Sequence, residues 1–140
     1  MSEISTLWLS GELPIRDGLY RATGESFDVR VDPDSTRGYE VLGDFSLEEF
    51  RRDEPDEVTK IDIARKVPVS GGFVCCGEGS FGSEGFFAYL DDDEVLVWVI
   101  YLEESNPFVE VESDGDWVKF RSTAGFEFSG RIGGGGLEGA

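Results

Sequence analysis

The sequence predicts an α+β fold that is mostly β: an antiparallel meander sheet with one short covering helix. Three observations lead there. From Phe73 to Ser129 short apolar or alternating runs recur with short polar connections between them, the pattern of consecutive antiparallel strands. Within that stretch Val95-Leu96-Val97-Trp98-Val99-Ile100-Tyr101-Leu102 is apolar on both faces, so it belongs in the middle of a sheet with something covering each side. A single helix signal, Ser46-Leu47-Glu48-Glu49-Phe50, supplies a cover for one of those sides. A chain of 140 residues with 39% hydrophobic content and 18 aromatics can fill one real core, and no Pro-rich linker or internal repeat divides it.

In chain order, Ile4 to Leu9, Leu19 to Ala22, Phe27 to Val31 and Tyr39 to Leu42 read as short strands. They are separated by turn chemistry at Asp17-Gly18, Asp32-Pro33-Asp34-Ser35 and Arg37-Gly38. Ser46 is the N-cap of a helix of about two turns, with Glu49 three residues on, Leu47 and Phe50 on one face, and Pro55 limiting its extent. Val58 to Val69 alternates irregularly and contains Pro68, which suits an edge strand. Strands follow at Phe73 to Cys76, Phe86 to Leu90, Val95 to Leu102, Phe108 to Glu112, Asp116 to Arg121 and Phe126 to Ser129. The Gly-rich stretch from Gly77 to Gly85 lacks the Lys-Ser or Lys-Thr and the following helix of a phosphate loop, and Glu78 and Glu84 would repel phosphate. It reads as a mobile loop. Residues 1–132 form the expected single β-rich domain, and 133–140 a flexible Gly-rich tail.

Cys75 and Cys76 are adjacent, with Cα atoms about 3.8 Å apart across a trans peptide, too close for an ordinary disulfide. Free thiols in a buried strand are the expectation. No basic, apolar leader opens the sequence, and its longest apolar run is the eight residues from Val95 to Leu102, against roughly 20 for a membrane span. A cytoplasmic, soluble protein with no membrane partner is expected.

The formal charge is -18, with 30 acidic and 12 basic residues, and Val67 to Val118 contains twelve Asp or Glu and no Lys or Arg. Such charge repels nucleic acid and anionic membranes and speeds encounter with cationic partners. A basic protein is therefore the partner to test. The competing reading is that acidity serves solubility, in an ordinary or a salt-rich cytosol, and three Lys against nine Arg agrees with it.

The turns set where the acids fall. Asp114-Gly115 is a preferred centre for a two-residue hairpin and would set Glu112 against Trp117, Val111 against Val118, Glu110 against Lys119 and Val109 against Phe120. One hairpin face is then Val109, Val111, Val118 and Phe120, turned to the core. The other carries Glu110, Glu112, Trp117 and Lys119, which puts Trp117 on an acidic, solvent-facing surface. An aromatic anchor in a charged rim is a feature of binding surfaces; a terminal segment folding over it is the alternative. In an up-and-down meander Asp91, Asp92, Asp93 and Glu94 share one end of the sheet with Asp114 and Asp116, while Glu103 and Glu104 fall at the other. Crowded carboxylates should raise some of their pKa values, a cost that a cationic partner relieves. Neither Asp91 to Glu94 nor Asp32 to Asp34 has the ligand spacing of a calcium loop.

The chain has no His, which removes the commonest general base, the commonest transition-metal ligand and all Ser-His or Cys-His nucleophile pairs. Thirty acids guarantee carboxylate pairs by chance, so nothing here singles out a glycosidase pair. The expectation is a non-enzyme with no cofactor and no metal. A small-ligand binder is an alternative, with Phe73, Phe86, Phe87, Tyr89, Trp98 and Tyr101 lining a cavity in a curved sheet. A nucleic-acid mimic that occupies the groove of a DNA- or RNA-binding enzyme is another.

The segment Phe86 to Arg121, with its core from Glu94 through Ser105-Asn106-Pro107-Phe108, resembles small acidic bacterial immunity proteins of polymorphic or contact-dependent toxin systems. The resemblance covers roughly a quarter of the chain and lies in acid-tipped strands and a Ser-Asn-Pro-Phe turn. It implies a cytosolic protein that neutralises a cognate toxin, often a basic nuclease, through electrostatic and shape complementarity. The register argument assigns the partner-binding residues: Asp91, Asp92, Asp93, Glu94, Asp114 and Asp116 as an acidic edge, with Glu110, Glu112 and Trp117 as the adjoining face.

Overall fold

The computed structural model describes residues 1–139. Its elements are α1 (Glu3–Leu9), β1 (Glu12–Pro14), β2 (Gly18–Arg21), β3 (Ser26–Val31), β4 (Tyr39–Phe45), α2 (Leu47–Asp53), β5 (Val58–Val69), β6 (Gly72–Gly79), β7 (Gly85–Asp91), β8 (Leu96–Leu102), β9 (Phe108–Asp114), β10 (Trp117–Ser122), β11 (Glu127–Gly133) and β12 (Gly136–Glu138). The strands form an eight-stranded sheet in the order β1-β5-β6-β7-β8-β2-β3-β4 and a four-stranded sheet in the order β12-β11-β10-β9. Pairing is antiparallel in both sheets.

The molecule is mostly β, as its sequence predicts, but the meander is broken. From β5 to β8 each strand pairs with the next; β8 then pairs on its other side with β2, and the chain leaves for a second sheet. The break follows from the corner Ser105-Asn106-Pro107: Asn106 has φ +64, and Pro107 supplies no ladder donor. Gly85 permits the fold-back, because a Cβ there would lie 2.3 Å from the Asn106 carbonyl.

The two apolar faces of β8 are buried as its composition requires. Phe87, Trp98, Ile100 and Leu102 face Phe108, Val111, Val118, Phe120 and Phe128 of the second sheet, while Phe86, Ala88, Val99 and Tyr101 face Ile4, Leu7 and Leu47 of the helices. Phe87 centres the inter-sheet core, stacked on Phe120 at 4.5 Å and meeting Phe108 and Trp98 edge-on. The aromatics considered as a cavity lining therefore divide between two packed cores instead of surrounding a space.

Ser46 caps α2 by accepting from the Glu49 amide at 3.2 Å. A second helix replaces the strand expected at Ile4 to Leu9. Ser2 is its N-cap, accepting from the Ser5 amide, and Ile4 and Leu7, three apart, bury one face against β7 and β8. The cap and spacing outweigh the β-branched character of Ile4 and Thr6.

Val58 to Val69 forms one twelve-residue strand; beyond Ile61, whose amide donates to the Gly11 carbonyl, its ladder partner among the described residues is β6 alone, so most of it is an edge. The Gly77 to Gly85 stretch is not the free loop expected of it. β6 runs through Gly79, and Glu84, 1% exposed, folds under the turn and takes hydrogen bonds from Thr59 Oγ1, the Phe81 amide and the Tyr101 hydroxyl. The tail expected to be flexible from residue 133 is also part of the fold. Leu137 on β12 is buried, the Tyr39 hydroxyl accepts from its amide at 3.0 Å, and Trp98 Nε1 donates to the Gly133 carbonyl at 2.8 Å. Buried hydroxyl and indole groups require such partners, and the glycine-rich backbone supplies them.

Cys75 and Cys76 are free and buried, one in each core. Burial pushes their thiols up, to about 12 and about 11, far from reactive thiolates.

Candidate functional site

The expected hairpin forms with its turn one residue later. Gly115, at φ +66, is the first of the two turn residues, with Asp114 opposite Trp117. Every partner therefore moves by two: Val118 meets Ser113, Lys119 meets Glu112, Phe120 meets Val111 and Arg121 meets Glu110. A shift of two preserves faces, because side chains alternate with period two. Val111, Val118 and Phe120 point inward as expected. Val109 does not: a bulge opposite Arg121 and Ser122 carries it to the surface, and Phe108 takes the core position.

Glu110, Glu112, Trp117 and Lys119 share the outer face of the second sheet. That face is mixed in sign: Arg121 and Lys119 stand opposite Glu110 and Glu112, Lys119 also pairs with Glu127 at 3.4 Å, and Arg131 pairs with Asp116 at 3.4 Å. Trp117 is 37% exposed and lies opposite Arg131, so the aromatic anchor sits among both signs of charge.

The acidic edge does come together. The Ser70 amide donates to the Gly115 carbonyl at 3.3 Å, and Gly72 at the base of the same β5–β6 turn is the ladder partner of Asp91. These two links bring Asp114 and Asp116 to the end of the molecule that carries Asp91, Asp92, Asp93 and Glu94. Asp91, Asp92 and Asp93 each offer an oxygen within 4.8 Å of the others. Asp91 Oδ1 is already engaged by the amides of Asp93 and Val95, which builds the turn. Two bases reach this end: Lys66, paired with Glu94, and Arg131, paired with Asp116.

A second acidic concentration lies at the opposite end, around Glu103 and Glu104. The β2–β8 pairing adds Asp17, whose Oδ1 accepts from the Glu103 amide at 2.7 Å. Burial, with the neighbouring Glu104 and Asp28 charges, pushes the Asp17 carboxyl up against the lowering effect of that amide. The Glu103 carboxyl is also raised, by desolvation and then by Asp17, Glu104, Glu57 and Glu84. A cleft of about 260 Å³ opens here, lined by Ile15, Glu57, Phe81, Ser83, Glu84 and Glu103. Phe81 at its lip is 61% exposed. Sequence reasoning placed Glu103 and Glu104 at this end. It could not supply Asp17 or Glu57, because both arrive through pairings between strands far apart in the chain.

Among the described residues, no helix is long and apolar enough to cross a membrane. Comparison with models of known protein families, with curated proteins and with solved structures finds no match.

Proposed function

We propose that the chain is a non-catalytic binding protein that neutralises a basic protein partner, of the kind a toxin nuclease presents, through the end formed by Asp91 to Glu94, Asp114 and Asp116. The observation that carries this reading is the meeting of two acidic turns from different sheets, joined by the Ser70–Gly115 hydrogen bond and the Gly72–Asp91 pairing, with two bases beside six carboxylates. Such an end attracts a cation-rich surface at long range and excludes phosphate-bearing ligands. The absence of His supports binding without catalysis. Exposed Trp117 adjoins the same end, next to Asp116 in the chain, and offers the apolar contact that slows dissociation.

The test is capture of partners from a lysate of the source cell at about 0.15 M and about 1 M salt, with the native chain and with a D92K/D114K double variant. The expected result is one stoichiometric basic protein that the native chain retains at the lower salt only, and whose association with the variant is slowed. Equal association of that protein with native and variant chains removes this end from the interface.

A further inference from the structure

We propose that a cavity beneath the C-terminal strand is a binding site for a small oxyanion, a carboxylate or phosphate, carried on a compact apolar group. The cavity has a volume of about 250 Å³. Arg21 of β2 and Arg37, just before β4, both line it, with Leu19 and Val41 as an apolar wall and the Gly133 to Gly136 turn as its roof.

The sign of this site is opposite to that of the molecule. With 30 acids available to 12 bases, a half-buried arginine would be expected to hold a carboxylate. Arg37 does not. Among the described residues its guanidinium donates to carbonyls alone, Nε to Tyr39 at 3.1 Å and Nη1 to Leu137 at 3.3 Å. Arg21 donates from Nε to the Gly135 carbonyl at 3.1 Å and from Nη1 to the exposed Glu25 at 3.4 Å. For neither arginine does Nη2 find a protein acceptor among the described residues. Glu138 also lines the cavity but forms no ion pair with either guanidinium. Two fixed guanidinium groups with unused donors match an oxyanion better than point-charge cations would, because their planar forks bind two oxygens at once.

The roof packs directly on the Arg21 guanidinium. A Cβ on Gly135 would lie 2.8 to 3.0 Å from the Arg21 guanidinium, so any larger residue would displace that group from the cavity. The arginines also hold β12 in place, and a purely structural clamp is the competing account. A clamp needs the carbonyl contacts; it needs neither the open space nor the unused donors.

The experiment titrates the full chain with butyrate, acetate or inorganic phosphate at constant pH and ionic strength, with chloride as control, and follows the arginine Nε–H NMR resonances and thermal stability. The expected result is saturable movement of the Arg21 and Arg37 signals with a raised Tm. Butyrate binding more tightly than acetate identifies a carboxylate site that uses the apolar wall; phosphate binding more tightly than butyrate identifies a phosphate site. Arg37→Gln should weaken binding about tenfold or more, the usual worth of a charged hydrogen bond. Because Arg37→Gln also loosens β12, Gly135→Ala is the second variant: its Cβ pushes the Arg21 guanidinium aside while leaving the two carbonyl contacts of Arg37 in place, and it should abolish saturation at the Arg37 signal in a chain that still unfolds cooperatively. Signals that move alike with every salt, or saturation unchanged in Gly135→Ala, overturn the site.

Discussion

Replacing Glu84 by Ala tests whether the turn between β6 and β7 is held from inside. Glu84 is 1% exposed and accepts three hydrogen bonds: Oε1 from Thr59 Oγ1 and the Phe81 amide, each at 2.9 Å, and Oε2 from the Tyr101 hydroxyl. Thr59 Oγ1 in turn accepts from the Ser80 amide at 2.9 Å, so four groups from three segments depend on one carboxylate. The Tyr101 hydroxyl is held well above the usual phenol range, by burial first and then by Glu84, so it stays a donor to that carboxylate. Truncation strands three donors in a buried site at about 1–3 kcal/mol each, but water entering the vacated volume recovers part of that. The expected loss is about 3–5 kcal/mol, a large fraction of the stability of a domain this size. Urea unfolding followed by Trp fluorescence measures it, and hydrogen exchange at the Phe81 amide should become fast at the same time. Glu84→Gln should lose less, because its carbonyl keeps the Oε1 role and the Tyr101 hydroxyl can turn to accept from the new amide. A Glu84→Ala loss no larger than that of the exposed Glu78→Ala, within about 0.5 kcal/mol, would refute the reasoning.

Leu137→Ala should cost about 2–5 kcal/mol by equilibrium unfolding, the range for a buried leucine, whereas a flexible tail would give no change. Glu103→Gln should stabilise the chain at neutral pH. The Glu103 carboxyl is raised in the folded state, so folding takes up protons; its favourable contribution is present below the unfolded carboxylate pKa and is lost as pH rises through the folded value. The advantage of the Gln variant over the native chain should therefore shrink as pH falls through the carboxylate range, and unfolding curves at several pH values measure it.

The elements most legible in the sequence were those whose signal is local. Ser46 with Glu49 and Phe50 marked α2, and the two-faced apolar run at Val95 to Leu102 marked the central strand, because cap chemistry and side-chain alternation are carried by neighbouring residues. The hairpin at Gly115 was legible in its faces and not in its register. Asp114-Gly115 and Gly115-Asp116 are both acceptable turn centres, and the choice rests on Phe120 finding Val111 across the ladder and Phe87 beneath it. The order of the tail is not legible because glycines at 133 to 136 signal freedom by composition, while the partners offered by Trp98 and Tyr39 reach Gly133 and Leu137 across 35 and 98 residues of chain. Of the candidate site, the two acidic turns were legible one by one; their joining was not, because the meander that would align them is broken and they meet through Ser70 and Gly72 of the β5–β6 turn. The sign of the adjoining face was not legible either, since Arg131 reaches it only through β11.

The two acidic ends differ in how their charge is compensated, and that difference can say where a basic partner lands. Lys66 and Arg131 pair with Glu94 and Asp116 at the proposed end. At the other end Arg16 is engaged by Asp28 through two hydrogen bonds, and acids alone are the charged neighbours that raise Glu103. Asp17 and Glu103 thus hold their protons more tightly than free carboxyls do, and a cation docking beside them would favour their charged forms and expel those protons. A partner at the Asp91–Asp116 end leaves both groups as they are. Calorimetric titration of the captured partner at mildly acidic pH, in buffers of differing ionisation enthalpy, counts the protons exchanged. With Glu103→Gln as reference, the proposed interface predicts no difference in proton release between native and variant chains. Release that falls in the Glu103→Gln variant would move the interface to the cleft beneath Phe81 and set aside the end assigned here.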